Sequence, residues 1–246
     1  MTGVRRIFID PQAISDGRIR FRPDQSHYLR RVLRLRAGEM VTGILEGEAQ
    51  LELRIADPQV GWAEIVRWLP PPPEPPVRVH LYQGMVKGQK MTEIVRHCTE
   101  LGAFAFHPLR TARCVVRLDP QSAVHRIQKW RKVAESASQQ CGRGRIPAVH
   151  PPVSYAEGLE EACHCETVIL AYEGDADLPI REVLKSPRRG SVALIVGPEG
   201  GFDAREVEMA RSRGVSVVSL GKRILRAETV GPVLTALVMY AWGDLS

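Results

Sequence analysis

Three short segments concentrate the residues that could do chemistry. Leu170-Ala171-Tyr172-Glu173-Gly174 and Gly197-Pro198-Glu199-Gly200-Gly201-Phe202 each close an apolar run. Leu220-Gly221-Lys222-Arg223-Ile224-Leu225-Arg226-Ala227-Glu228-Thr229 succeeds a third. Three glycines in five residues let a backbone take positive φ and approach a ligand closely. Such a loop can read a flat polar group with its own N–H and C=O groups, or it can be a tight strand-to-helix turn. It lacks the Gly-Lys-Ser/Thr ending of a phosphate loop and does not match the dinucleotide fingerprint. In the third segment Arg226 and Glu228 bracket a short loop. They could pair with each other, or address a substrate, with arginine on a phosphate or base and glutamate as acceptor or general base.

Charge points to a polyanion. The chain has 246 residues and a net charge of +6, with arginine outnumbering lysine 28 to 6. Residues 1–36 carry +6 and residues 77–150 carry +9, while 37–76 carry −5 and 151–246 carry −4. Arginine pairs bidentately with phosphate and stacks on bases, so an alternating basic pattern of this kind suits nucleic acid, or a solvated basic surface. Two basic segments stand out: Arg30-Arg31-Val32-Leu33-Arg34-Leu35-Arg36, and Gln139-Gln140-Cys141-Gly142-Arg143-Gly144-Arg145.

Other classes recede. No apolar run reaches the ~18–20 residues of a membrane span, and the N-terminus lacks a signal core. A soluble cytoplasmic protein is expected. Five irregularly spaced cysteines do not make a disulfide framework. Cys163-His164-Cys165 has no second pair at a zinc spacing, so no metal is expected.

The elements that must position these loops fall into two parts. Six prolines in residues 69–76 predict an extended spacer, here 71–76, between a domain at 1–70 and another at 77–246. The first part predicts strands at Val4–Ile9, Met40–Leu45, Ala49–Ala56 and Gly61–Trp68, with a helix at His27–Leu35: a small β-barrel. The second alternates strands (77–83, 104–109, 167–172, 192–196, 215–220) with helices (90–101, 122–140, 203–213, 229–242). That predicts an α/β domain with a mostly parallel sheet. Pro232 would then sit in the first turn of the last helix.

Gly197–Phe202 together with Leu220–Thr229 resembles the ribosomal RNA small subunit methyltransferase E family, part of the SPOUT superfamily. His27-x4-Val32-Leu33-Arg34-x3-Gly38, Lys87-Gly88-x-Lys90-Met91, Glu100-Leu101-Gly102 and Gln140-Cys141-Gly142-Arg143-x-Arg145 match in order, so the resemblance covers nearly the whole chain. It implies a PUA-like N-terminal β-barrel that binds RNA and a C-terminal α/β domain with a trefoil knot. It also implies a homodimer and methylation of N3 of one uridine in 16S rRNA, in the decoding region of the small subunit, with S-adenosyl-L-methionine as cofactor. The family's cofactor loops map onto Leu170, Ala171 and Tyr172, onto Gly197, Pro198, Glu199, Gly200 and Gly201, and onto Leu220, Gly221, Ile224 and Leu225. Arg226 and Glu228 take the catalytic positions. His27, Arg30, Arg31, Arg34, Arg143 and Arg145 are the expected RNA contacts. The chain departs from the family at Val230-Gly231-Pro232, where small residues are usual. A SPOUT enzyme acting on tRNA or a ribose 2′-OH, or a non-catalytic RNA-binding assembly protein, are the competing readings.

Overall fold

The computed structural model describes residues 5–57, 59, 61–116 and 119–245. Val4, the first residue of an expected strand, lies outside them. The chain divides into two compact units, residues 1–74 with 138–146, and residues 75–137 with 147–246.

In the first unit a six-stranded sheet runs in the order β1-β4-β5-β6-β3-β2. The strands are β1 (Arg6–Phe8), β2 (Ile14–Ser15), β3 (Arg18–Arg20), β4 (Met40–Leu45), β5 (Ala49–Asp57) and β6 (Trp62–Leu69). Only β1–β4 is parallel. Ile7, Ile19, Leu29, Leu51, Leu53 and Ile55 share one core, the strand residues among them alternating inward. The hairpin β2–β3 turns at Asp16 and Gly17, both with positive φ, as an Asp-Gly turn requires. Pro23 sets the start of helix α1 (Pro23–His27), four residues before the expected start. Gln25 accepts from the Arg22 N–H and donates to the Phe8 carbonyl at 2.7 Å, tying α1 to β1. The chain then makes one wide π-helical turn, Tyr28–Val32, and Arg34 takes φ +52.

Of the proline-rich stretch, the residues up to Glu74 fall in this unit and are fastened to it. The guanidinium of Arg143 is buried and meets Glu74 with Nε 3.1 Å from Oε2, while the Gly144 N–H donates to Glu74 Oε1 at 2.9 Å. Gln50 Nε2 also donates to the Pro70 carbonyl. Proline removes backbone donors; here a glutamate between the prolines supplies the attachment that the backbone lacks.

The second unit is built on an eight-stranded sheet whose paired strands are all parallel. Its main order is β10-β8-β7-β13-β11-β14-β12, with β9 beside β8. These are β7 (Arg78–Gly84), β8 (Ala105–Arg110), β9 (Ala148–Val149), β10 (Val153–Ser154), β11 (Thr167–Ala171), β12 (Leu178–Pro179), β13 (Ser191–Val196) and β14 (Ser216–Ser219). The helices are α2 (Lys90–Glu100), α3 (Pro120–Cys141, its last turn in the first unit), α4 (Tyr155–Ala162), α5 (Ile180–Leu184), α6 (Ala204–Ser212) and α7 (Ala227–Trp242). The continuous apolar run of β13 reflects burial on both faces. Asp203 and Glu206 form the expected capping box on α6. The last helix begins at Ala227, not Thr229, so Pro232 lies in its second turn.

None of the five cysteines is in a disulfide, and among the described residues no helix is long and apolar enough to cross a membrane.

A ring stack centred on the buried His107 and Tyr82 crosses the α4 face of the sheet. His107 stacks on Tyr82 at 4.2 Å and on His150 at 4.3 Å. Its Nε2 lies 3.3 Å from His80 Nδ1, and its Nδ1 is 3.4 Å from Glu161 Oε1. Burial, reinforced by the two neighbouring imidazoles, pushes the pKa of His107 down to about 3. The folded state therefore holds His107 neutral at pH values where the unfolded chain binds a proton. Its contribution is complete above pH ~6.5 and is lost as pH falls toward 3, with a slope of up to ~1.4 kcal/mol per pH unit. His107→Phe keeps a stacking ring and should flatten stability against pH by that slope between pH 6 and 4, in urea unfolding compared with the parent. An unchanged slope would assign the proton to another group.

Candidate functional site

The carboxyl ends of β11, β13 and β14 release three loops side by side, the position where open parallel sheets bind ligands. Between them lies a cavity of about 570 Å³, within the range of small-molecule sites. It is lined by residues 171–174, by 196–199 and 201, by 219–228, and by Lys90 and Val230.

Packing against the sheet sets the shape of the central loop. Gln83 is fully buried on β7, and its Nε2 donates to the Gly197 carbonyl at 3.1 Å. Gly84 lets the loop come close: a Cβ there would stand 2.6 Å from the nitrogen of Pro198. The Gly201 N–H donates to the Pro198 carbonyl at 3.0 Å, with Gly201 at φ +66. Phe202 is buried in the core and anchors the loop's far end. Glu206 fixes the entry into α6, accepting from the N–H groups of Ala112 at 2.8 Å and Asp203 at 2.9 Å. The first loop is held by the Tyr172 N–H on the Val218 carbonyl, and the third turns at Gly221 with φ +108.

Ala171, Tyr172, Gly197, Pro198, Glu199, Gly201, Leu220, Gly221, Ile224 and Leu225 all face the cavity, as do Arg226 and Glu228. Two expected cofactor positions do not line it. Leu170 is buried in the sheet core. Gly200 turns toward Arg113, whose Nη1 donates to its carbonyl at 3.3 Å. Ile224 is exposed on the cavity rim.

Arg226 and Glu228 approach only loosely, at 4.0 Å, with the arginine side chain 85% exposed. The partner of Glu228 is Lys90. Lys90 Nζ lies 3.2 Å from Glu228 Oε2 and 3.2 Å from Glu199 Oε1, and Glu199 Oε1 also accepts from the Lys87 N–H at 3.0 Å. Its own backbone N–H, and after it the Lys90 ammonium, holds the Glu228 carboxyl below the usual range against an opposing effect of burial. The two carboxylates raise Lys90, Glu228 first. Lys90 was visible in sequence only as a member of a motif. A further signal was available: it opens α2, where the helix dipole disfavours a cation.

On the first unit, His27, Arg30, Arg31 and Arg34 are all exposed along α1 and the π-helical turn. Arg143, expected beside them as an RNA contact, is instead buried against Glu74, and Arg145 is half-buried. The Nε and Nη2 groups of Arg143 are committed to the Glu74 carboxylate, unlike the exposed arginines of the π-helical turn.

Residues 73–239 match the RNA methyltransferase domain family. The chain is similar to the ribosomal RNA small subunit methyltransferase E of a Synechocystis strain, 31% identical over 95% of this chain and 76% of the relative. It is similar to the Bacillus subtilis protein of the same name, 30% identical over 88% of each chain. Among solved structures, the Neisseria gonorrhoeae ribosomal RNA small subunit methyltransferase E bound to S-adenosyl methionine superposes with a TM-score of 0.87. It is 29% identical, covering 99% of this chain and 100% of that one. A Legionella pneumophila structure in complex with the same compound gives 0.91, with 27% identity and full coverage of both chains.

The close approach of β7 to the central loop gives a test that needs no ligand. Gly84→Ala should cost about 1–3 kcal/mol by overpacking and raise hydrogen exchange across 197–202, measured by urea unfolding and mass-detected exchange. Unchanged values would show that the loop does not depend on that contact.

Proposed function

The chain belongs to the ribosomal RNA small subunit methyltransferase E family, and from that premise we propose that it transfers a methyl group from S-adenosylmethionine to N3 of a uridine in 16S rRNA, in the decoding region. The observation that carries this reading is the cavity itself. Three glycine-containing loops present backbone from the ends of parallel strands, with Ile224 and Leu225 as apolar lining and two carboxylates and a lysine on one wall. The lining fits the cofactor: a Cβ at Gly197 would stand 3.3 Å from the Gly201 backbone, so this loop closes tightly on itself and presents short side chains and backbone along the cavity, which suits an adenosyl group.

Bound there, S-adenosylmethionine supplies a methyl group on a sulfonium, which leaves as a neutral thioether when the C–S electron pair returns to sulfur. The chain must supply the rest. N3 of uridine carries a proton and is a poor nucleophile until it departs. The ionised Glu228 carboxylate takes that proton and passes it to water, while the N3 electron pair forms the new bond to carbon. Arg226, exposed at the cavity mouth, is placed to stabilise the charge that spreads onto the uracil carbonyl oxygens. Glu228 does not chiefly serve to hold Arg226, since its nearer cation is Lys90.

The target base must leave its stack to reach such a cavity, at a cost of a few kcal/mol. Arg30, Arg31 and Arg34 with His27 offer a phosphate-binding edge for RNA recognised by shape. Their π-helical turn and the left-handed Arg34 are local departures of the sort found at functional positions.

Three finer features belong to the same proposal. The first-unit sheet is a PUA-like barrel. The C-terminal segment is threaded as a trefoil knot; its route supports this, since after β14 the chain returns past β11 and β13 to lay α7 on α2, β7 and β13. The protein is a homodimer through α7, whose one charged side chain is Glu228 and whose outward stripe is Val233, Leu237 and Tyr240. An apolar helix with such a face needs cover.

The test is methyl transfer from labelled S-adenosylmethionine to unmodified small subunits and to naked 16S rRNA, with mass spectrometry of the digested nucleosides. A single 3-methyluridine is expected, and Arg226→Ala should lower turnover about 100-fold or more at saturating cofactor. Another methylated nucleoside would overturn the assignment of N3. Reversing Arg30, Arg31 and Arg34 to Glu should weaken RNA binding and reduce the slope of log K against log salt by about two units. An unchanged slope would remove these arginines from the RNA interface.

A further inference from the structure

A lysine as the first residue of a helix needs a reason. The N-terminal end of α2 carries partial positive charge from unpaired N–H groups, and Lys90 adds a full cation to it. Gln89, the residue before, makes no side-chain cap; its Oε1 receives Thr92 Oγ1 and Lys129 Nζ instead. Glu93 is the one acid in the same turn, but it is not among the ion-pair partners of the ammonium. Two carboxylates from distant parts of the chain are. Glu199 comes from the loop after β13 and Glu228 from the first turn of α7, each 3.2 Å from Nζ. A single cation is thus shared by two anions, leaving the trio with one net negative charge.

We propose that Lys90 is a positioning residue of the methyl transfer: its ammonium fastens together the two loops that wall the cavity and keeps the Glu228 carboxylate ionised and aimed into it. This rests on the reading of Glu228 as proton acceptor. Without the ammonium, Glu199 and Glu228 would lose the cation they share, and two carboxylates left at one site raise the pKa of one of them. The raised group keeps its proton to higher pH, and a protonated Glu228 accepts none. The other charges facing Glu228 do not replace Lys90. Arg226 is at 4.0 Å and solvated. Lys222 and Arg223 are exposed on the cavity rim. Glu173 is a further anion across the cavity, and the Cys114 thiol, near Glu199, is pushed up by burial.

The experiment uses the full-length protein with its rRNA substrate and three variants, Lys90→Met, Lys90→Arg and Glu228→Gln. For the parent, kcat should change little between pH 8.5 and pH 6. For Lys90→Met it should fall by about tenfold or more over the same interval, recovering as pH rises. Lys90→Arg should restore the parent profile, and Lys90→Met combined with Glu199→Gln, which removes the competing anion, should lose the acid fall in kcat relative to its own value at pH 8.5. Calorimetry gives a second readout that needs no turnover. Binding of the cationic S-adenosylmethionine at pH 6 in two buffers should release protons from Lys90→Met and none from the parent. A pH-independent loss of kcat with no proton release would make Lys90 merely structural and overturn the proposal. An active Glu228→Gln would instead overturn the reading of Glu228 as acceptor, whatever Lys90 shows. Should Lys90→Met fail to fold, Glu199→Gln carries the test: if ammonium sharing limits Glu228, the acid fall of its kcat, read against its own value at pH 8.5, should move to lower pH, and a move to higher pH would sink the idea.

Discussion

The site depends on the register of one strand. β13 pairs in parallel with β7 on one side and β11 on the other, with Ile195 opposite both Tyr82 and Leu170. The three strands consequently stop at nearly the same level, and β14 joins the row through β11. Parallel pairing sends every chain out of the sheet at the same end. The loops at 171–174, 197–202 and 219–226 meet because they have no other place to go. A slip of one residue in β13 would turn its side chains to the opposite face and carry the glycine loop away from Gln83 and Gly84.

Much of this was legible because burial leaves a strong trace. The doubly buried strands read as unbroken apolar runs, and the capping box at Asp203 and Glu206 marked α6 to within a residue. What escaped was short or non-local. The β2–β3 hairpin has only two- and three-residue strands, yet its Asp16-Gly17 turn is a plain signal. Ser154 and Glu157 announce α4 by the same box as Asp203 and Glu206. The helix expected at His27–Leu35 was displaced because its apolar spacing belongs partly to a wider turn, and Pro23 fixes the true start. No local pattern could reveal that Arg143 answers Glu74, 69 residues away.

Ten of the twelve expected cofactor positions face the cavity. The two exceptions have separate causes. Gly200 turns toward Arg113, which holds its carbonyl, and Leu170 is still inside β11, where it packs in the sheet core. The charge pattern was harder to read. Arg226 and Glu228 look like partners two residues apart, but at the start of a helix such neighbours diverge. Glu228 turns inward to Lys90 while Arg226 extends to solvent.

The clasp of Glu74 by Arg143 has a consequence for synthesis. The first unit lacks one of its own pieces until residue 146 has been made: Gly47 donates to the Gly144 carbonyl, and Glu46 accepts from the Ile146 N–H. A ribosome delivers the six strands of that unit well before it delivers this last stretch. In the interval the proline-rich segment has no arginine to hold it. The first part of the chain to be made is then among the later parts to be finished, and its closure requires the long-range contacts that slow folding.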